Sequence, residues 1–231
     1  MTVERKHREE IVRFGRRLYE RGFVAATDGN LSVRLDEGRL LITPTCMCKG
    51  MMEADDLVVV DLGGHLLEGR RNVSSEVAMH LLIYRMRPEV CSIVHAHPPT
   101  ATGFAAAGIA LEQPLISEVV LTLGSVPLAK YACPGSADLS DSLRPLVADH
   151  NAILMANHGV VTYGDSIEQA FMHMETVEHF AKIALVARAI GTPQPIAPDE
   201  VRRLEAIRTQ LESARRAERD NLRTMEVKTS A

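Results

Sequence analysis

Three histidines and one glutamate carry the chemistry that can be read in this chain. His95 and His97 are separated by a single residue in the stretch CSIVHAHP, residues 91–98. In a β-strand residues i and i+2 point to the same side, so the two imidazoles would aim at one spot where the strand stops. Pro98 and Pro99 forbid the strand ladder from continuing. Two neutral imidazoles converging there make half of a divalent-metal site, which needs one or two more ligands. The competing reading is two polar residues at a strand terminus with no metal. A third histidine, His158 in Asn157-His158-Gly159, stands at the end of a second apolar run, AILMA at 152–156. If the two strands share a sheet, His158 completes a three-imidazole set with an open position, a catalytic rather than a structural arrangement. Glu76 is the carboxylate to place beside it, as fourth ligand, general base, or both by turns.

The rival metal motif is Cys46-x-Cys48, but no second cysteine pair exists to complete a structural zinc site, so small-residue packing is the better reading. His80 shares the Glu76 helix face one turn on. His173 and His179 lie on a long helix, and His7, His65 and His150 in charged or loop contexts; none is read as a ligand. Ser74 and Ser75 precede a helical pattern, where hydroxyls are ordinary caps. Free N–H groups, a positive dipole end and two hydroxyls are equally a ready anion site.

The elements that must position these groups follow from periodicity. Residues 3–22 read as a helix, with Ile11, Phe14 and Leu18 at helical spacing and Gly22 as a C-cap. Thr27-Asp28-Gly29-Asn30 leads into LSVRL and, past the turn Asp36-Glu37-Gly38, into RLLIT, a β-hairpin. A short buried strand covers 57–62, and the helix after Glu76 carries Val77, His80, Leu81 and Tyr84 before Pro88 closes it. Residues 91–95 form the strand that leads into the first histidine pair, followed by a small-residue helix at 100–107. Segments 115–120 and 126–129 read as extended, and 134–149 contains a helix. Strands at 152–156 and 160–163 precede a long helix over 166–189, opened by the capping box Ser166-x-x-Gln169. A proline-rich linker at 191–198 leads to a last helix from Pro198 to about Arg219, and the tail 227–231 is expected to be disordered.

A length of 231 residues with 46% hydrophobic and 24% charged residues fits one ordinary or slightly large globular domain. No run approaches the ~20 apolar residues of a membrane span. The charged opening MTVERKHREE shows no secretory leader, and four cysteines do not form a disulfide framework, so the cytoplasm is the expected compartment. A net charge of −4 argues against general nucleic-acid binding but not against a small anionic substrate.

The motifs TDGNLSVR, LLITPT, SSEVAMH, VHAHP and NHGVV occur in one order, and with the long final helices they resemble the class II aldolase/adducin-head family from about Ile11 to Ala189. The resemblance implies a single three-layer α/β domain with a central, mostly antiparallel sheet flanked by helices. It implies a catalytic domain over 1–190, with linker, helix and tail over 191–231 packed on it or on a neighbouring subunit. His95, His97 and His158 would bind zinc, manganese or another divalent ion, with Glu76 also reaching the ion and moving the substrate proton. Gly29, Asn30, Thr45, Ser74 and Ser75 would hold a substrate phosphate. The implied assembly is a homotetramer with active sites at subunit junctions.

The implied reaction is cleavage or formation of a phosphorylated ketose from dihydroxyacetone phosphate and an aldehyde through an enediolate. The same intermediate would serve a decarboxylase of a phosphorylated 3-oxo sugar acid. A pentulose-phosphate 4-epimerase is disfavoured because that branch has Asp where this chain has Glu76, and a non-catalytic adducin-like module because the ligands are all present. Two departures stand out. The family's TPTG reads Thr43-Pro44-Thr45-Cys46 here, and no tyrosine follows Tyr163. At the aldehyde end the middle loop offers Glu118, either as an acid or substrate contact or as a solvent-facing carboxylate.

Overall fold

The computed structural model describes residues 2–229. Helix α1 (Val3–Glu20) starts where the Thr2 side chain accepts the Arg5 amide and buries Ile11, Phe14, Gly15 and Leu18. Strands β1 (Asn30–Arg34) and β2 (Arg39–Ile42) form the expected hairpin, its turn held by Asp36 Oδ1, which accepts from the Gly38 and Arg39 amides at 2.9 Å each. Strands β3 (Val58–Asp61) and β4 (Leu66–Glu68) extend it outward. After α2 (Val77–Met86) come β5 (Ser92–Ala96), α3 (Pro99–Ala106), α4 (Ser117–Thr122) and β6 (Leu128–Ala129). The chain continues through α5 (Ala137–Val147), β7 (Ala152–Met155), β8 (Gly159–Gly164), α6 (Ile167–Ile190) and α7 (Pro198–Thr229).

The eight strands form one sheet in the order β4-β3-β2-β1-β5-β8-β7-β6, antiparallel throughout except for the β6–β7 pair. Successive side chains of a strand point to opposite faces, and two cores result. Leu31, Val33, Leu41, Val94, Ala96, Leu154 and Val160 pack under α1, α3 and α6; Leu40, Ile42, Val60, Ile93, Ile153 and Val161 pack under α2 and α5. This is the expected three-layer α/β domain, with helices on both faces of a largely antiparallel sheet.

Two expectations are corrected, and one strand forms where no element is expected. Residues 115–120 are not extended: α4 takes over at Ser117, because Val119, Val120 and Leu123 are buried together. Gly124, at φ +76°, then closes the helix by donating to the Val119 carbonyl. The edge strand β4 went unread because all three of its residues are exposed. The last helix runs on to Thr229, ten residues past its expected end and into the expected tail; Ser230 and Ala231 lie outside the described residues. The proline-rich stretch before α7 is held by Ile196 N donating to Pro114 O at 2.8 Å, and α7 packs on α4.

Candidate active site

The centre of the sheet sets the site. β5 lies between β1 and β8, in a register that places Asn30 opposite His95 and His95 opposite Val161. His97 follows one residue past β5. There the chain turns, because the Glu178 carboxylate, 2% exposed on α6, accepts the Thr100 and Ala101 amides at the start of α3 at 3.0 and 2.9 Å. His158 is the last residue of the three-residue turn joining β7 to β8, with Asn157 at φ +53°. The turn must lead into a glycine: a Cβ on Gly159 would stand 2.4 Å from the His97 ring and 2.7 Å from the Ala96 carbonyl oxygen.

The three imidazoles meet. Their ring centroids are 4.8–5.2 Å apart. His95 Nε2 is 3.2 Å from His97 Nε2 and 3.2 Å from Glu76 Oε2, and His158 Nε2 is 3.1 Å from Glu76 Oε1. Four ligands around a tetrahedral ion at about 2.0–2.1 Å stand about 3.3–3.4 Å from one another; these three distances come close to that, and the ligand atoms of the three histidines all lie within 4.8 Å of one another, so the cluster can close around one divalent ion.

The hydrogen bonding agrees. His95 Nδ1 donates to the Val160 carbonyl at 2.9 Å, which leaves Nε2 as the lone-pair nitrogen facing the cluster. Asp28 Oδ2 stands 3.5 Å behind His97 Nδ1. Glu76 Oε1 is buried without a hydrogen-bond partner although His158 is close, an acceptor aimed where a cation belongs. Among the described residues, His95, His97 and His158 are the histidine, cysteine or acidic side chains gathered closely enough to hold an ion; Cys46-x-Cys48 gathers no further ligand.

Burial alone would raise the Glu76 carboxyl, but His95 and His158 beside it hold it well below the usual carboxylate range. Burial pushes His97 down to about 4, with its neighbours His95 and His158 adding to the effect. The direction for His97 favours the neutral imidazole that a ligand must be.

Behind Glu76 runs a buried polar file. Asn30 Nδ2 donates to Glu76 Oε2 at 2.8 Å, and Asn30 Oδ1 is 2.5 Å from His80 Nε2. His80 Nδ1 is 2.6 Å from Ser32 Oγ, which is 2.9 Å from Tyr84 Oη. His80 lies outside the histidine cluster and is tied into this file through both ring nitrogens.

The residues expected to hold phosphate cluster around the same strand ends. Ser74 Oγ accepts the Glu76 amide at 3.3 Å, and Thr45 N donates to Asn72 O at 3.1 Å while Pro44 pairs with Val73, drawing the Thr45 loop against the segment that leads into Ser74. Cys46 takes φ +55°, the left-handed backbone that suits glycine. Lys49, missed in the sequence, joins the two loops: its buried ammonium donates to Thr27 O at 2.9 Å and to Met47 O at 2.6 Å. Burial pushes it down to about 8, opposed by Cys48, Asp28, Cys46 and Glu76.

The structure does not bring Glu118 to the histidines. It lines a groove with Glu89, Asn151, Gly164 and Arg208 at the opposite end of β5 and β8, where Ser92 pairs with Gly164. Three strand residues, about 10 Å, separate that pair from His95, so Glu118 is not a partner of Glu76 within one chain.

Comparison with known proteins agrees with this geometry. The family model described as Class II Aldolase and Adducin N-terminal domain matches residues 9–185. A 3-oxo-tetronate 4-phosphate decarboxylase of Pectobacterium atrosepticum is 37% identical over 190 residues, 80% of this chain and 87% of that protein. A 5-deoxy-D-ribulose 1-phosphate aldolase of Bacillus thuringiensis is 34% identical over 201 residues, 86% of this chain and 93% of that protein. The solved structure of YgbL from Escherichia coli matches with a TM-score of 0.82 at 33% identity, covering 88% of this chain and 100% of that one.

Proposed function

Since the chain belongs to the class II aldolase and adducin N-terminal domain family, we propose that it is a divalent-metal-dependent lyase that cleaves or forms a phosphorylated ketose, with dihydroxyacetone phosphate and an aldehyde as the other side of the equilibrium. The observation that carries this reading is the approach of Glu76 to His95 and His158 at 3.2 and 3.1 Å in a cluster that fits one ion.

Breaking a carbon–carbon bond beside a ketone leaves a pair of electrons on carbon, spread as an enediolate. His95, His97, His158 and Glu76 would hold the ion, zinc or manganese or a related metal, and when bound it supplies Lewis-acid stabilisation of that negative charge, several kcal/mol of the barrier. The Glu76 carboxylate accepts the C–H proton in the synthetic direction and returns it in cleavage. Oε2 is anchored by Asn30 while Oε1 makes no hydrogen bond and faces the cluster, so Oε1 reaches the ion and, by turns, carries the proton. Ser74, Ser75, the Gly29–Asn30 turn and Thr45 bind the phosphate, and the Lys49 charge beneath them favours the anion. Binding energy from this remote group fixes the reacting carbon against Glu76.

A second reading, decarboxylation of a phosphorylated 3-oxo sugar acid, is favoured by one feature. Aldol cleavage needs a base for the hydroxyl that becomes the aldehyde, and the aldehyde-end candidate Glu118 lies away from the cluster. Carbon dioxide leaves without proton transfer, so decarboxylation needs no such group. Assaying dihydroxyacetone phosphate and carbon dioxide release from phosphorylated ketoses and 3-oxo acids, before and after chelation, tests both. Metal-independent turnover, or none with either class, overturns the proposal.

A further inference from the structure

We infer that His80 is a positioning residue for Glu76, acting through the Asn30 carboxamide; this rests on the role proposed for Glu76 above. The direction of every hydrogen bond in the file follows from chemistry. Glu76 Oε2 is a carboxylate oxygen and only accepts, so the Asn30 group 2.8 Å away is the NH2 end of its amide. The other end, Asn30 Oδ1, is therefore a carbonyl oxygen facing His80 Nε2, which must carry the hydrogen. A neutral imidazole has one N–H, so His80 Nδ1 accepts, and Ser32 Oγ donates to it. Tyr84 Oη then donates to Ser32 Oγ. With a neutral ring, this arrangement satisfies all five side chains.

Burial supports the neutral ring. His80 is fully enclosed, and this enclosure pushes it down to about 3, with His95 adding to the effect and Glu76 opposing it. The charged groups near the file all come from the site itself, apart from Arg34, whose guanidinium stacks 4.7 Å from the Tyr84 ring centroid.

The consequence is orientational. Alone, the Asn30 amide could turn over and set its carbonyl oxygen against the Glu76 carboxylate. With the His80 N–H fixed behind it, turning would also set an NH2 against an N–H. His80 is itself held in place by the contact of its Nδ1 with Ser32 Oγ, and the Asn30 carbonyl oxygen in front of Nε2 sets its tautomer. Glu76 Oε2 therefore stays tethered, and Oε1 keeps its aim into the cluster. Asn30 and Ser32 sit two apart on β1, while Glu76, His80 and Tyr84 sit four apart at the start of and along α2, so strand and helix repeats line the file up.

The test uses His80→Leu and the polarity-conserving His80→Gln in the zinc-loaded full chain, with zinc content measured. His80→Leu should lower kcat about tenfold or more while KM moves less than about twofold and zinc content holds, and His80→Gln should recover most of the rate. A His80→Leu enzyme at wild-type kcat overturns the inference, as does loss of zinc together with rate that Gln fails to rescue. Nitrogen-15 NMR of the wild-type chain decides the matter even if His80→Leu does not fold. The His80 ring should show a protonated Nε2, an unprotonated Nδ1 and no titration between about pH 5 and 8; the opposite tautomer or an imidazolium overturns it. If the wild-type chain turns over no sugar phosphate, the proposed function fails, and the NMR result still judges the file on its own.

Discussion

Gly29 and His95 meet backbone to backbone: a Cβ on Gly29 would stand 2.6 Å from the His95 carbonyl oxygen and 2.8 Å from Val24 Cγ1. Gly29 also holds φ +72°, in the left-handed region. Gly29→Ala is therefore expected to push β1 off the end of β5, at a cost of about 1–3 kcal/mol, and to misplace Asn30 and His95 together. Affinity for the ion should fall by about 10–100-fold. Thermal melting and a competitive chelator titration read the two effects, and an alanine variant with native affinity contradicts the close contact.

Metal removal should abolish turnover, and zinc or manganese should restore it. Replacing His158 by Ala removes one corner of the cluster while leaving β5 intact, so this variant should retain the fold but bind the ion weakly. Elemental analysis beside circular dichroism separates those outcomes. Full metal content in the variant would show that the third corner lies elsewhere.

Lys49 gives a pH prediction with a definite sign. Its ammonium is charged below about 8 and neutral above. The attraction for a substrate phosphate is thus present at neutral pH and lost as pH rises, so KM should climb above about pH 8. Lys49→Arg, charged throughout, should flatten this rise. An unchanged profile in the arginine variant assigns the climb to another group.

Glu118 lies at the opposite end of β5 and β8 from the histidines of its own chain, so a role in catalysis requires an assembly that brings it to the histidines of a second copy. The expected result is complementation. Glu118→Gln and Glu76→Gln, each weakened alone, should regain turnover when dissociated together and reassociated. Full activity of Glu118→Gln by itself ends that role.

Much of the site was legible because two short periods govern it. The strand repeat of two aimed His95 and His97 at one point, and the apolar run before His158 set it at the matching end of a nearby strand. The polar file obeys equally simple repeats, Asn30 to Ser32 on β1 and Glu76 to His80 to Tyr84 on α2, and its signal was polar side chains at positions that periodicity assigns to the core. It stayed hidden because the partner of each repeat lies on another element. The helix at Ser117–Thr122 was missed for a different reason: valines and leucines suit a strand in isolation, and only packing of Val119 and Leu123 into the core decides otherwise. Lys49 carried no warning, since nothing local distinguishes a lysine folded under two loops from one in water.

The strand order has a consequence for biogenesis. β8 slots between β5 and β7, and it is the last strand to leave the ribosome. Glu76, His95 and His97 precede His158 in the chain, and β8 alone joins the β7–β6 pair to the rest of the sheet, so His158 meets them only once β8 is in place. A chain halted before residue 158 therefore carries three of the four proposed coordinating groups and cannot assemble the cluster.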